Sequence, residues 1–153
     1  MTIHLRFAST LPEPVEAVWE RITSFEGIND EFKPWLRMTA PRDLEMTPEA
    51  VPLGEKWFRS WLLLFGVIPI DYDDLCIVSI DPPNGFHERS SLLSAKVWVH
   101  RRTLTAVEGG TELVDELEAE PRVFFLAPVL RVILPLIFRH RHKRLRSGSR
   151  PRS

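Results

Sequence analysis

The sequence predicts an α+β domain with the order strand, two short helices, a run of about six strands and a long C-terminal helix. Alternating apolar and polar residues, the spacing of half-buried strands, occupy residues 2–11 and most of residues 54–120. Apolar residues at helical spacing follow the first strand and occur again near residue 130. Clusters of proline and glycine separate these segments, which indicates sharp boundaries between elements.

The N-terminal segment is predicted to hold one strand and both short helices. Residues 2–11 alternate in polarity and form the strand, which two prolines end. Apolar residues between Val15 and Ile22 then follow helical spacing. The second helix covers about residues 28–32 and ends before Pro34, because proline disfavours a helical residue before it.

The strands from Leu36 onward are predicted to form one antiparallel sheet. The last two make a hairpin whose Gly109–Gly110 pair suits a type I′ turn, in which both central residues need positive φ. A two-residue loop there pairs Glu108 with Thr111 and places Arg102 diagonal to Asp115. The predicted strand segments are 54–66, 68–81, 86–94, 96–107 and 111–120.

The C-terminal helix is predicted to begin near Pro128 and to bend at Pro135, which removes one backbone hydrogen bond. Seven of the 20 Lys and Arg residues fall in 139–153, a segment without acids, so the rest of the chain carries 13 basic and 21 acidic residues. We expect one domain over residues 1–146 and a flexible basic tail over 147–153. A basic tail on an acidic body can stay solvated, fold back or meet an anionic surface.

The chain carries few signals of compartment. Its one cysteine, Cys76, excludes an intrachain disulfide and fits a reducing compartment. Residues 1–10 lack the apolar stretch of a secretory signal. The apolar run 123–138 is short and is interrupted by prolines and an arginine, which argues against a membrane span. We therefore expect a cytoplasmic protein, with peripheral membrane contact as an open alternative.

Six local motifs are Pro14–Trp19, Ser79–Pro83 with Phe86, Trp98-x-His100, Gly109–Thr111, Asp115–Glu116 and Phe138–Arg141. In this order and spacing they resemble the START-like (SRPBCC) superfamily, which includes the Bet v 1 allergens, polyketide cyclases and small bacterial cyclase/dehydrase-like proteins. The resemblance covers about residues 2–145 and implies a helix-grip fold, in which a curved antiparallel sheet of six or seven strands wraps the long helix around a cavity. It implies no reaction, because the superfamily has no universal catalytic residues. The ligand-binding bacterial branch often has a second histidine where this chain has Arg102.

His100, Arg102 and Asp115 are the candidate catalytic residues. The hairpin places them on one face, and if that face is inward they form a polar group inside an apolar pocket. Asp115 could then orient His100, which could serve as a general acid or base. The alternative is a structural ion pair that fixes the hairpin, because such pairs are common and also perturb pKa values.

A second group is predicted to contact a ligand. An arginine between Trp57 and Trp61 could bind an anionic head while the rings hold an apolar body, or it could stack on a tryptophan at the surface. With the apolar lining expected of a small-molecule cavity, the candidate ligand-binding residues are Trp57, Arg59, Trp61, Tyr72, Trp98, His100, Leu117, Ile133 and Ile137.

No metal site or cofactor is predicted. Asp73 and Asp74 are adjacent on a strand and point to opposite faces. His140 and His142 stand two apart on a helix and cannot share one metal ion. The chain has no phosphate loop, dinucleotide fingerprint or nucleophile elbow. Its basic residues are not interleaved with aromatics, so nucleic-acid binding is not predicted.

Three functions stay open. The first is binding or transport of a hydrophobic small molecule, such as a lipid, polyketide or aromatic compound. The second is a cyclase- or dehydratase-type enzyme that holds such a molecule in a reactive shape and moves protons through His100. The third is a membrane-peripheral or homodimeric module that uses residues 123–146, since an apolar helix followed by a basic cluster is typical of interfacial helices.

Overall fold

The computed structural model describes residues 2–42, 44, 47 and 49–148. Within them, seven strands form one antiparallel sheet in the order β1-β7-β6-β5-β4-β3-β2, which confirms the predicted α+β helix-grip fold. In chain order the elements are β1 Ile3–Leu11, α1 Val15–Ile22, α2 Phe25–Phe32, β2 Leu36–Met38, β3 Lys56–Leu64, β4 Ile68–Asp81, β5 Gly85–Leu92, β6 Ala95–Val107, β7 Gly110–Pro121, a short 3-10 helix Phe124–Leu126, and α3 Ala127–Gly148.

Helix α3 lies across the inner face of the sheet over β1, β6 and β7. Its buried side chains recur every three or four residues, as one helical stripe does, and include Leu130, Leu134 and Phe138. These pack with Trp98 and Leu117 of the sheet. A separate apolar cluster of Val51, Leu75 and Ile77 lies under β4 and contains no residue of α3. The helix therefore covers only one half of the inner face.

Helix α2 begins three residues earlier than predicted. The Ser24 side chain accepts a hydrogen bond from the Gly27 backbone N–H at 3.0 Å and so caps the helix at Phe25. Phe25, Ile28 and Phe32 stand at helical spacing, so the apolar pattern already extended back to Phe25. The longer helix carries Glu31 on its last turn, where the carboxylate faces the interior.

The register of the β6–β7 hairpin differs by two residues from the prediction. Val107 pairs with Gly110, so the loop is Glu108–Gly109, and Arg102 lies directly opposite Asp115 rather than diagonal to it. Gly110 pairs with Val107 and so is the first residue of β7. A Cβ atom at this position would lie 1.8 Å from the Leu11 carbonyl oxygen, so only glycine fits. A close backbone approach, not a type I′ turn, explains the second glycine.

The basic C-terminal segment folds back on the acidic body up to residue 148. Arg141 and His142 are buried, and the Arg144 guanidinium donates to Asp30 Oδ1 at 2.8 Å. The helix continues two residues past the boundary we predicted for the tail, and residues 149–153 lie outside the described part of the chain. No helix among the described residues is both long and apolar enough to cross a bilayer.

Candidate functional site

Arg102 is the centre of a buried charge cluster between the sheet and the helices. Its Nε and Nη2 donate to the two Asp115 oxygens at 2.7 and 2.9 Å. Its Nη1 and Nη2 also donate to the two Glu31 oxygens at 3.0 and 2.8 Å. The relative exposures of the side chains are 1% for Arg102, 0% for Asp115 and 2% for Glu31. One guanidinium thus holds two carboxylates by paired charge-assisted hydrogen bonds.

Helix α3 and β6 supply the remaining members of the cluster. Arg141 Nε donates to Glu31 Oε1 at 3.0 Å. Two imidazoles face Asp115: His100 Nε2 is 2.7 Å from Oδ1, and His142 Nε2 is 2.8 Å from Oδ2. Two guanidiniums therefore balance two carboxylates, and the cluster connects α2, β6, β7 and α3.

The cluster keeps its carboxylates ionised. Burial by itself would raise the pKa of Asp115, but the Arg102 guanidinium and His100 outweigh it and hold the pKa well below the ordinary value. Burial likewise opposes ionisation of Glu31, and Arg102 and Arg141 lower its pKa. The two carboxylates in turn raise the pKa of Arg102 against its own burial. Each of these buried groups stays ionised because its oppositely charged neighbours offset the cost of its burial.

The structure brings the three candidate catalytic residues, His100, Arg102 and Asp115, into direct contact. Arg102 and Asp115 have almost no exposed surface, and each satisfies the other's charge. That geometry supports the structural alternative for this pair, while their catalytic role stays a prediction. His100 differs, because its Nδ1 points away from Asp115 and lies 4.0 Å from Glu88 Oε1.

Ser9, His142 and Asp115 form a chain in the order hydroxyl, imidazole, carboxylate. Ser9 Oγ is 2.6 Å from His142 Nδ1 and accepts a hydrogen bond from Arg146 Nη1 at 2.8 Å. Nucleophilic triads use the same order of groups. Here, however, Ser9 is buried and Arg146 occupies its oxygen, so the chain joins β1 to α3.

A second polar group lies on the inward faces of β4 and β5. The Ser90 hydroxyl donates to Glu88 Oε2 at 2.7 Å, and both side chains are buried. Asp73 is buried beside them, and its Oδ1 has no hydrogen-bond partner within the described part of the chain. Native proteins leave few buried polar atoms unpaired, so this oxygen marks a candidate binding position.

Asp73 favours its protonated form. Burial raises the pKa of its carboxyl well above the ordinary value, and the neighbouring Glu88 carboxylate raises it further. Asp74, the next residue, faces outward, where Arg59 and Lys56 lower its pKa despite slight burial. The two adjacent acids point to opposite faces, as predicted, and their environments push their pKa values in opposite directions.

We expect Asp73→Asn to stabilise the fold at neutral pH, because the folded protein keeps the buried carboxyl protonated at a pH where the unfolded chain ionises it, and the amide needs no proton. The gain is about 1.4 kcal/mol for each pH unit between the pKa of the unfolded chain and that of the folded protein. Above about pH 4 the Asp73 carboxyl keeps its proton in the folded protein and loses it in the unfolded chain. The free energy of unfolding therefore falls as the pH rises from about 4 to the pKa of Asp73 in the folded protein. Urea unfolding at several pH values should show the gain vanishing near pH 4. Asp74→Asn is the control, with the opposite sign at neutral pH. Equal pH profiles for wild type and Asp73→Asn would contradict the assignment.

Three of the predicted ligand-binding residues, Arg59, Trp61 and Tyr72, lie on the outer face of the sheet. Arg59 donates to both Asp74 oxygens, at 2.7 and 3.1 Å. Its Cζ atom is 3.9 Å from the centre of the Tyr72 ring and 6.0 Å from that of Trp61, so Arg59 stacks at the surface mainly on tyrosine. Trp57, beyond an irregularity in the β3–β4 register, contacts Phe58 edge-on and packs against the interior cluster of Val51, Leu75 and Ile77.

The other predicted ligand-binding residues divide between the interior and the surface. Trp98 and Leu117 are buried in the cluster under α3, and Ile137 packs against that cluster while partly buried. Ile133 is 42% exposed on the outer side of α3, so its placement in the interior was wrong. The apolar spacing of the sequence could not show which of Ile133 and Ile137 faces the sheet, because α3 is apolar on most of its first four turns.

The open depressions lie on the surface of the described part of the chain, and the first of them borders the second polar group at Ser90. One, of about 360 Å³, lies on the outer face and includes Cys76, Arg89 and Lys96. Another, of about 250 Å³, lies near His4, Arg101 and Glu116. Burial raises the pKa of the Cys76 thiol, which makes it a weaker nucleophile. Among the described residues, no group of three or more His, Cys, Asp or Glu side chains is arranged to hold a metal ion.

Comparison with known proteins places the chain in a family. The model of a domain of unknown function, DUF8410, matches residues 9–148. The chain belongs to the DUF8410 family. No curated protein matches it.

The DUF8410 domain also resembles solved structures over nearly its whole length. Protein CV1439 from Chromobacterium violaceum has a TM-score of 0.73 at 15% identity, over 97% of this chain and 99% of that one. The Zhui aromatase/cyclase from Streptomyces sp. R1128 has a TM-score of 0.70 at 12% identity, over 97% and 94%. Ara h 8.0201 has a TM-score of 0.61 at 11% identity, over 96% and 99%. At these identities the likeness establishes the helix-grip fold.

Sequence reasoning missed several residues of the two polar groups. The partners of Arg102 include Glu31, 71 residues earlier, and no local pattern connects them. Along β5 polar residues occupy both faces, so Glu88 and Ser90 gave no periodic signal. The useful signal was Arg102 itself, because a charged residue on an inward strand face needs a buried counter-charge.

Proposed function

We propose that the DUF8410 domain binds an uncharged hydrophobic small molecule against the half of the inner sheet face that α3 leaves uncovered, with a polar atom of the ligand facing Asp73. The observation that carries the proposal is the buried Asp73 Oδ1 without a partner. Such an atom costs about 1–3 kcal/mol unless something bonds to it. A hydroxyl or carbonyl group of a ligand would satisfy a protonated carboxyl.

The packing of α3 supports this position. The helix packs against β1 and α2 and covers the β1–β7–β6 half of the inner face. Asp73 and Glu88 belong to the other half, beside the apolar cluster of Val51, Leu75 and Ile77. Small-molecule sites combine apolar walls with a few polar groups in this way.

The charges of the site limit the class of ligand. Burial and, next, the Glu88 carboxyl group raise the pKa of Asp73, so an added anion would be disfavoured there by desolvation and by repulsion. A neutral hydroxyl, phenol or ketone meets none. The likeness to the Zhui aromatase/cyclase is in keeping with an aromatic or polyketide-like compound.

Native mass spectrometry of freshly purified protein tests the proposal, with solvent extraction of any retained molecule. We expect a co-purifying uncharged apolar compound, and we expect the neutral dye Nile red to compete with it. Asp73→Leu should weaken Nile red binding severalfold, and Asp74→Asn should not. A protein that retains no molecule and does not bind Nile red would rule the proposal out.

An enzymatic role is the second candidate, and one observation favours it. Asp73, Glu88 and His100 bring a proton-carrying carboxyl, a carboxylate and an imidazole to one inward surface, and such groups can perform acid–base chemistry on a bound polyketide. His100→Ala would abolish turnover of such a substrate and leave Nile red binding intact. If it instead removes binding and turnover together, His100 only shapes the site.

A further inference from the structure

One end of the molecule gathers segments that are far apart in sequence. Ala95 pairs with Pro121, so the start of β6 and the end of β7 lie together, followed by the segment that enters α3. Asp73 pairs with Leu92, so β4 begins beyond the end of β5, and the β3–β4 turn projects at this same end. Segment 65–70 and the start of α3 therefore share one end of the sheet.

This end carries most of the large apolar side chains that are exposed. We call it the apolar rim: the exposed apolar side chains of residues 65–70 and 123–136, together with Trp35 and Leu93. Phe124 is 89% exposed, Val67 73% and Val132 62%. Monomeric proteins rarely expose contiguous apolar patches of this kind unless the patch binds something.

The charges around the rim indicate the partner. Residues 61–70 contain no charged side chain, and residues 121–148 contain no Asp or Glu. On the outer face of α3 the exposed Val132 and Leu136 are followed at helical spacing by the exposed Arg139 and Lys143. An apolar surface edged by cations fits the interface of an anionic lipid bilayer.

A second copy of the chain fits this surface less well. In a two-fold contact the same patch would meet itself, which brings the exposed cations Arg139 and Lys143 of α3 against a second copy of a helix that contains no Asp or Glu. A bilayer offers both an apolar layer and anionic headgroups. We propose that the apolar rim docks on the surface of an anionic bilayer, with the β3–β4 turn and the first turns of α3 entering the headgroup region.

Vesicle co-sedimentation of the full chain tests the proposal. The probes are vesicles of phosphatidylcholine alone and of phosphatidylcholine mixed with phosphatidylglycerol. We expect binding to the mixed vesicles, weaker binding to phosphatidylcholine, and weakening by added salt. Phe124→Ser and Val67→Ser remove one apolar contact from each segment, and for Phe124→Ser we expect about a tenfold loss of partitioning.

Val107→Ser is the matched control, because Val107 is exposed at the opposite end, beside the β6–β7 turn. It should bind vesicles as the wild type does. All three variants should keep the wild-type unfolding temperature and Nile red binding, which separates this proposal from the ligand proposal. Wild type that stays in the supernatant, or rim variants that bind like wild type, would overturn the docking proposal. So would a dimer in light scattering that Phe124→Ser dissociates and that does not bind vesicles.

Discussion

Replacing Arg102 by methionine should lower the free energy of unfolding by about 3–5 kcal/mol, because it leaves buried carboxylates without their counter-charge. Asp115 would keep only its imidazole contacts, and Glu31 would keep only Arg141. Since small domains have total stabilities of about 5–15 kcal/mol, a large share of the protein would unfold on mild heating. Urea denaturation followed by circular dichroism at neutral pH measures the loss.

Two further variants separate the buried charge from the strand itself. Arg101→Met changes the exposed neighbour on the same strand and should shift stability by no more than about 0.5 kcal/mol. Adding Asp115→Leu to Arg102→Met removes the uncompensated carboxylate and should restore much of the loss, since apolar replacements of buried ion pairs are often neutral. An Arg102→Met protein as stable as wild type would mean that the cluster is hydrated rather than buried.

Phe138→Ala should cost about 3–5 kcal/mol, through lost burial and the cavity left behind. The ring is 2% exposed and joins the helix to the sheet, with centroid distances of 5.8 Å to Phe7, 6.1 Å to Trp98 and 5.3 Å to His100. Thermal unfolding checks the effect. Phe124→Ala, on the rim, should leave the unfolding temperature nearly unchanged.

The size of the Phe138 effect also reports on the interior. A loss below about 1 kcal/mol would show that the ring does not fill a close-packed core, and that open space extends from β4 and β5 to beneath α3. A full loss would confine the candidate binding position to the half of the sheet that contains Asp73.

The fold was predictable because local chemistry and the global arrangement agree. Proline and glycine clusters separate the strands, and β4 has the predicted bounds, Ile68–Asp81. The hairpin was harder, since Gly109 and Gly110 mark a turn but do not say which residues form its loop. That choice depends on the Leu11 carbonyl, which comes near only after β1 has paired with β7.

The candidate site was predictable only where its members are near in sequence. Hairpin geometry places His100, Arg102 and Asp115 on one face both in the predicted register and in the real one, because the two differ by two residues. Glu31 and Arg141 join them only through the packing of α2 on α3, and periodicity carries no information about such contacts. Trp61 was predicted to face inward because β3 has large apolar residues on both faces, so alternation could not identify the inner one.

Pairing of β1 with β7 has a consequence for biosynthesis. Strand β1 leaves the ribosome roughly a hundred residues before its neighbour β7. The cations that neutralise Glu31 and Asp115 include side chains of α3, which are synthesised later still. When contacts join residues so far apart in sequence, a partly synthesised chain can form few of them. Nascent copies should therefore stay unstructured until α3 has emerged, and chaperone association should fall abruptly at that length rather than in steps.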